Sequence, residues 1–344
     1  MELPSLVLIG YNVLRSLGDL MNSKGIKKGG VIAAGRNVWS RYGHILKEVL
    51  ENEGNKTSWI PVDNSTYEDV QKVEKEAQKK KANFIIGFGG GKSIDVAKLA
   101  AYKLRIPLIS IPTNTAHDGI ASPFASIRGL NKPYSITTKP PLIVVADLKL
   151  ILKAPQRLIS SGVGDIVAKL TAVRDWELGR DEKGEYFGEY SAKLALLSAK
   201  HVIEKAEMIG RMEVSGVRSL IEALISAGVA AGIAGSSRPC SGAEHLFSHA
   251  LDVIAPDKGL HGEKVGIGAI MMAKLHKINW KEIKETLAKS KAPTSAYDIG
   301  LSKEEVIKAL LLAPKLRPER YTILHKVKLD IRKAYDLASS VGVV

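Results

Sequence analysis

The chain has 344 residues, 45% of them hydrophobic and 25% charged, which is material for two domains with cores of their own and excludes a disordered chain. A formal charge of +14 suits an anionic ligand, but the basic residues are spread along the chain; the densest run, Lys79-Lys80-Lys81, reads as the polar end of a helix and not as a nucleic-acid patch. The single cysteine, Cys240, excludes an intrachain disulfide and a cysteine-rich metal site, and no run approaching the 18 or so apolar residues of a membrane span is read, so a cytoplasmic protein is expected.

In chain order, Val31–Ala34 reads as the first strand, Val38–Asn52 as a helix and Ser58–Ile60 as a short strand. Tyr67–Lys81 has amphipathic helical spacing, Phe84–Ile86 runs as a strand into glycines, Ser93–Leu104 is a helix and Pro107–Ser110 a strand. Phe124–Arg128 and Tyr134–Thr137, separated by Gly129-Leu130-Asn131, read as a hairpin, and Leu142–Val145 is the last convincing strand. Helical periodicity then takes over in Asp165–Leu178, Tyr190–Ile209, Gly216–Ala231 and Gly262–Lys274. The fold class is therefore α/β. A Rossmann-like domain with a mostly parallel sheet (residues 1–153) precedes an all-helical domain (residues 154–344).

Gly87-Phe88-Gly89-Gly90-Gly91-Lys92-Ser93 follows a strand and opens a helix. Glycines admit a phosphate close to the backbone, and a helix N-terminus offers N–H groups and partial positive charge. A P-loop would need glycine at position 86, where Ile86 stands, so the register fails despite Gly91-Lys92-Ser93. The ordinary dinucleotide fingerprint fails too, because the strand read as first ends in Gly35-Arg36-Asn37. No acid follows Ala34 to hold ribose hydroxyls, and Arg36 is close, so NADP is expected to be accepted as well as NAD.

Three segments carry metal-ligand chemistry. Gly162-Val163-Gly164-Asp165 places an acid where a helix is read to start, Glu244-His245-Leu246-Phe247-Ser248-His249 puts two histidines four apart on one helical face, and Leu260-His261-Gly262 puts another at a helix start. Asp and His suit zinc, which keeps three protein ligands and an open position at a catalytic site; nickel and iron accept the same donors. The competing readings are an N-capping Asp165 and hydrogen-bonded interior histidines.

The glycine run with Lys92, Ser93 and Asp95, then Pro112-Thr113-Asn114-Thr115, Gly164-Asp165, Glu244-His245 and His261-Gly262-Glu263-Lys264, together resemble the glycerol dehydrogenase and iron-containing alcohol dehydrogenase superfamily. Ile111–Gly119, Gly164–Lys169 and Ser236–Gly242 look most like its sn-glycerol-1-phosphate dehydrogenase family. The resemblance spans roughly residues 30–275 and implies a dehydroquinate synthase-like fold, a site in a cleft between two domains, and Asp165, His245 and His261 as metal ligands, with His249 a neighbour in substrate or proton contact. It implies a diphosphate turn at Gly89, Gly90, Gly91, Lys92, Ser93 and Asp95, and Thr113, Thr115 and Ser122 along the cofactor or substrate. Asp118 is implied beside the substrate hydroxyl. Iron-type members carry a fourth ligand, a histidine, four residues after the aspartate. Lys169 stands there instead, which favours a three-ligand zinc site and offers a cation to a substrate phosphate; Arg238 is the second phosphate candidate.

The implied activity is NAD(P)H-dependent reduction of dihydroxyacetone phosphate to sn-glycerol 1-phosphate, a backbone of archaeal-type phospholipids, by a homo-oligomeric enzyme. Rival readings are glycerol dehydrogenase, 3-dehydroquinate synthase with the same architecture, and a nucleotide- or nucleic-acid-binding protein using Gly89–Lys92.

Overall fold

The computed structural model describes residues 2–129 and 135–344. These divide into two compact units: residues 2–115 with 119–129 and 135–154, and residues 116–118 with 155–344.

The first unit contains β1 (Leu6–Gly10), α1 (Leu17–Ser23), β2 (Gly29–Ala34), α2 (Arg36–Asn52), β3 (Lys56–Pro61), α3 (Tyr67–Lys80), β4 (Phe84–Gly89), α4 (Gly91–Leu104), β5 (Leu108–Pro112), β6 (Phe124–Ala125), β7 (Ile136–Thr137), β8 (Ile143–Asp147) and α5 (Leu148–Ile151). Six strands form one parallel sheet in the order β1-β8-β5-β4-β2-β3. Alternation in β2 feeds both faces. Ile32 and Ala34 join a core with Leu46, Leu50, Phe84 and Ile86, while Val31 and Ala33 join Val70, Val73, Ile85 and Ala97 on the other. Parallel strands covered on both faces read as continuous apolar runs, which is why β4, β5 and β8 were legible.

One strand escaped the sequence reading. Leu6–Gly10 is β1, so the strand read as first is β2, and the glycine turn follows β4, the fourth strand. As an edge strand hydrogen-bonded to β8 on one side, β1 is only partly buried and carries a weaker apolar signal than the interior strands. It also ends without a dinucleotide fingerprint, in Gly10-Tyr11-Asn12. The hairpin pairs only Phe124–Ala125 with Ile136–Thr137, antiparallel, while Arg128 bridges to Thr66 instead; Leu130, Asn131 and Tyr134 lie outside the described residues. The lysine run does end α3, with Lys81 in a left-handed C-cap.

The second unit is helical among its described residues: α6 (Gln156–Val167), α7 (Lys169–Lys183), α8 (Glu189–Gly210), α9 (Val214–Ala234), α10 (Ala243–Ile254), α11 (His261–Leu275), α12 (Trp280–Lys289), α13 (Lys303–Leu316), α14 (Ile323–Val327) and α15 (Ile331–Ser340). Helix α9 is long and apolar enough on average to cross a membrane by length and composition alone, although Arg218 and Glu222 interrupt its apolar run. Its apolar window is 61% buried inside the protein, and it carries Arg218 and Glu222, the pattern of a bundle's central helix.

Candidate active site

The geometry begins with two glycines. A Cβ on Gly262 would lie 1.9 Å from the Ser161 carbonyl oxygen, and one on Gly164 would lie 2.1 Å from the Gly262 oxygen. Only hydrogen side chains let α6 and α11 approach so closely, and that approach brings Asp165 to His261. Gly262→Ala is therefore expected to cost about 1–3 kcal/mol by overpacking and to separate these side chains. Urea denaturation and metal-binding titration of the variant check both effects, and unchanged values would remove the packing argument.

Asp165 lies in the last turn of α6 and not at a helix start. The periodicity read over 165–178 crosses from α6 into α7 because Ala168, the junction residue, keeps helical dihedrals. The carboxylate is not an N-cap. It accepts the backbone N–H of Asp118 at 2.9 Å and the ammonium of Lys169 at 3.0 Å.

His245 stands in the first turn of α10, with its Nε2 3.3 Å from Asp165 Oδ1. His261 opens α11, its ring centroid 5.2 Å from that of His245. One ligand atom from each of Asp165, His245 and His261 lies within 4.8 Å of the others. The burial and the Asp/His/His donor set fit a divalent transition metal. His249, one turn beyond His245, is not in this group, and its ring centroid is 6.4 Å from that of His261.

Electrostatics prepare the donors. Burial alone raises the Asp165 pKa, but Lys169 and then His245 outweigh it and hold the acid well below the carboxylate range. Burial and the neighbouring His245 push His261 down to about 4, so its imidazole is neutral and open to a metal near pH 7. Burial, His261 and His245 likewise lower His249 well below the usual histidine range. Burial opposes protonation of His245, yet its hydrogen bonds to Asp165 and Glu244 raise its pKa.

Several supporting groups were missed by sequence reasoning. Buried Glu244 accepts the His245 Nδ1 proton at 2.8 Å, the Gly242 N–H at 2.6 Å and the Thr171 hydroxyl at 2.8 Å. That bond selects the tautomer that turns Nε2 toward Asp165. Ser248 Oγ lies 3.4 Å from His261 Nδ1. Glu263 accepts the Leu260 N–H at 2.7 Å and a bidentate Arg157 fork at 2.6 and 2.7 Å, fixing the start of α11. The adjacent Glu-His and the His-Gly-Glu triplet were visible signals, but their roles depend on loop geometry.

Lys169 is fully buried. Its ammonium contacts Asp118 at 2.9 Å, Asp165 at 3.0 Å and the Cys240 carbonyl at 3.2 Å. Burial works against the charge, but Asp118 and Asp165 raise its pKa far above that of an ordinary lysine. It is thus an internal counter-ion and not an exposed helix lysine. Arg238 is also buried, with its guanidinium on Glu185 and on the Tyr321 carbonyl at 2.8 Å.

In the first unit the glycine turn joins β4 to α4. Gly89 has φ +148°, in the region that favours glycine, and Gly90 caps the 14-residue α4 without a side-chain bond. Such an end, with Gly91 in the first turn and Lys92 exposed beside it, fits a diphosphate. The Thr113 N–H donates to Gly89 oxygen at 3.0 Å, placing Thr113 at the turn, and Ser93, Thr115 and Ser122 are buried. Asp95 faces inward, accepting the Ser126 N–H at 3.1 Å beside Lys98 at 3.4 Å, so it supports the loop after β6. Arg36 is exposed and forks onto Asp63 at 3.1 and 3.3 Å. Sequence reading sought an acid only after β2. This one follows β3, whose Pro61 pairs in register with Ala34.

Comparison with known proteins places this arrangement. Residues 8–155 match the family model for iron-containing alcohol dehydrogenase. The fold is that of glycerol dehydrogenase from Schizosaccharomyces pombe, with TM-score 0.81 at 20% identity over 99% of this chain and 90% of that one. It is an iron-type alcohol dehydrogenase fold of the dehydroquinate synthase-like kind. Over its full length the chain is 52% identical to the glycerol-1-phosphate dehydrogenase (NAD(P)+) of Cenarchaeum symbiosum, covering 96% of that protein. It is 46% identical to the one of Hyperthermus butylicus, again over its full length and covering 98% of that protein. The chain belongs to the glycerol-1-phosphate dehydrogenase family and is an oxidoreductase.

Proposed function

We propose that the protein reduces dihydroxyacetone phosphate to sn-glycerol 1-phosphate with NADPH or NADH, using one divalent metal, zinc by preference. The observation that carries this reading is the largely buried Asp165, His245 and His261 cluster, with ligand atoms within 4.8 Å, in a chain 46–52% identical to enzymes of that name. Residues 1–153 serve as the nicotinamide-binding domain and residues 154–344 as the metal- and substrate-binding domain.

When bound, the metal supplies a Lewis acid for the substrate carbonyl and the dinucleotide supplies the hydride. Asp165, His245 and His261 hold the metal, with Glu244 and Ser248 orienting the imidazoles. Lys169 occupies the position of the iron-type fourth ligand and, as an ammonium, cannot ligate; it neutralises Asp118 and Asp165 and fixes the Asp118 carboxylate for a substrate hydroxyl. His249, neutral at pH 7, passes a proton between substrate and water without storing one. Gly89–Ser93 hold the diphosphate, with Thr113, Thr115 and Ser122 beside it. At the adenosine ribose, Asp63 accepts from hydroxyls and Arg36 binds a 2′-phosphate, a pair that tolerates both dinucleotides.

The test follows NADPH absorbance with dihydroxyacetone phosphate before and after chelation. Turnover is expected in metal-loaded protein, with loss on chelation and recovery on adding zinc; no oxidation by metal-loaded protein would overturn the reading. Arg36→Ala is expected to raise the KM for NADPH about tenfold, roughly 1.4 kcal/mol, with a smaller change for NADH. Steady-state kinetics with both cofactors checks it.

A further inference from the structure

The helical unit holds a cavity of about 370 Å³ with charged side chains in its wall, lined by Trp176, Glu185, Arg238, Arg317, Glu319 and Arg320 among others, and by none of the three candidate ligands. Its arginines are unequally satisfied. Arg238 pairs with Glu185, and Arg317 with Glu319 at 3.1 Å. Arg320, only 8% exposed, takes part in no ion pair among the described residues and donates to two neutral oxygens, the Ser241 carbonyl and the Ser237 hydroxyl, each at 2.7 Å. Three guanidinium groups share two paired carboxylates, so Arg320 feels Glu244 and Glu185 without an ion-pair contact to either. A buried charge whose direct partners are neutral dipoles is costly unless a ligand completes it. Burial, then Arg317 and Arg238, push Arg320 down to about 9 against the pull of Glu244 and Glu185, and it still stays charged at neutral pH.

The cavity also adjoins the metal-ligand cluster. Arg317 and Arg320 are among the charges that depress His249. The segment before α10 faces both ways, its Ser241 carbonyl accepting from Arg320 and its Cys240 carbonyl from Lys169. Arg238, pinned by Glu185, and Lys169, committed to Asp118 and Asp165, have less to offer an incoming anion than Arg320 does.

We propose that Arg320, flanked by Arg317, is the recognition site for a phosphomonoester dianion, the phosphate end of the substrate; this rests on the function proposed above. A guanidinium presents a planar fork that matches two phosphate oxygens, and nothing in the chemistry requires a metal there. The residues lie in the last 30 or so positions, beyond the motifs that carried the family resemblance.

The experiment compares kcat/KM for dihydroxyacetone phosphate with that for unphosphorylated dihydroxyacetone in wild type, Arg320→Gln and Arg317→Gln, with inorganic phosphate as inhibitor. Wild type is expected to prefer the phosphorylated ketone strongly. Arg320→Gln is expected to reduce that preference about 100-fold and Arg317→Gln about tenfold, with phosphate competitive against the phosphorylated ketone and weakened in both variants. Arg317 is closer to the surface, so its variant keeps the test decisive if Arg320→Gln does not fold. A wild type with no preference would overturn the functional reading itself. A strong wild-type preference left intact in the variants would overturn the arginine assignment alone. Phosphate binding that is lost in the variants but non-competitive would overturn the substrate assignment, pointing to a free-phosphate site.

Discussion

Asp165→Asn is expected to lower kcat/KM for the phosphorylated ketone by about 10³-fold or more, a loss of at least about 4 kcal/mol in transition-state stabilisation. The substitution keeps the shape of the side chain. An amide oxygen still accepts the Asp118 N–H that the carboxylate holds at 2.9 Å, and Lys169 keeps Asp118 as its counter-ion, so the fold is expected to survive. What disappears is the anionic donor between two imidazoles. Zinc content after dialysis is expected to fall to a small fraction of wild type, with near-native circular dichroism. A fully active variant that retains its zinc would sink the assignment of Asp165 as a ligand.

The second large effect concerns Lys169→Met. The ammonium is fully buried between Asp118 and Asp165, and the replacement has similar length but no charge. Breaking a buried ion pair by removing one partner leaves uncompensated charge inside, a cost of about 3–5 kcal/mol. That cost is expected in full in metal-free protein and to be reduced in zinc-loaded protein, because a divalent cation on Asp165 replaces much of the lost positive charge. Urea denaturation of wild type and variant, each with and without zinc, measures the difference. Equal destabilisation in the two states would mean that Lys169 does not compensate the carboxylates at the proposed metal position.

Much of the first unit was legible because its interior strands are apolar on both sides and alternate with amphipathic helices such as α2 and α3. The edge strand β1 was not, since half-exposed edges carry a weaker pattern. Helix periodicity located α8, α9 and α11 but misplaced the start of the helix that carries Asp165, because two helices joined at Ala168, which keeps helical dihedrals, look like one pattern. Groups that orient the candidate ligands stood in the quoted segments without an assigned role: Glu244 next to His245, Ser248 three residues further on, and Glu263 two residues after His261.

The sequence by itself determined the α/β-then-helical order, the glycine turn, the acid and histidines able to bind a metal, and, through their ordered motifs, the family. Periodicity and local chemistry reside in consecutive residues and survive without a fold. Only the tertiary structure decided that Lys169 is a buried counter-ion, that Asp63 rather than a residue after Ala34 meets Arg36, and that Arg320 is buried without an ion-pair contact among the described residues. Each of these depends on which side chains long-range packing leaves next to one another and away from water, and charge compensation between distant segments has no signature in local spacing.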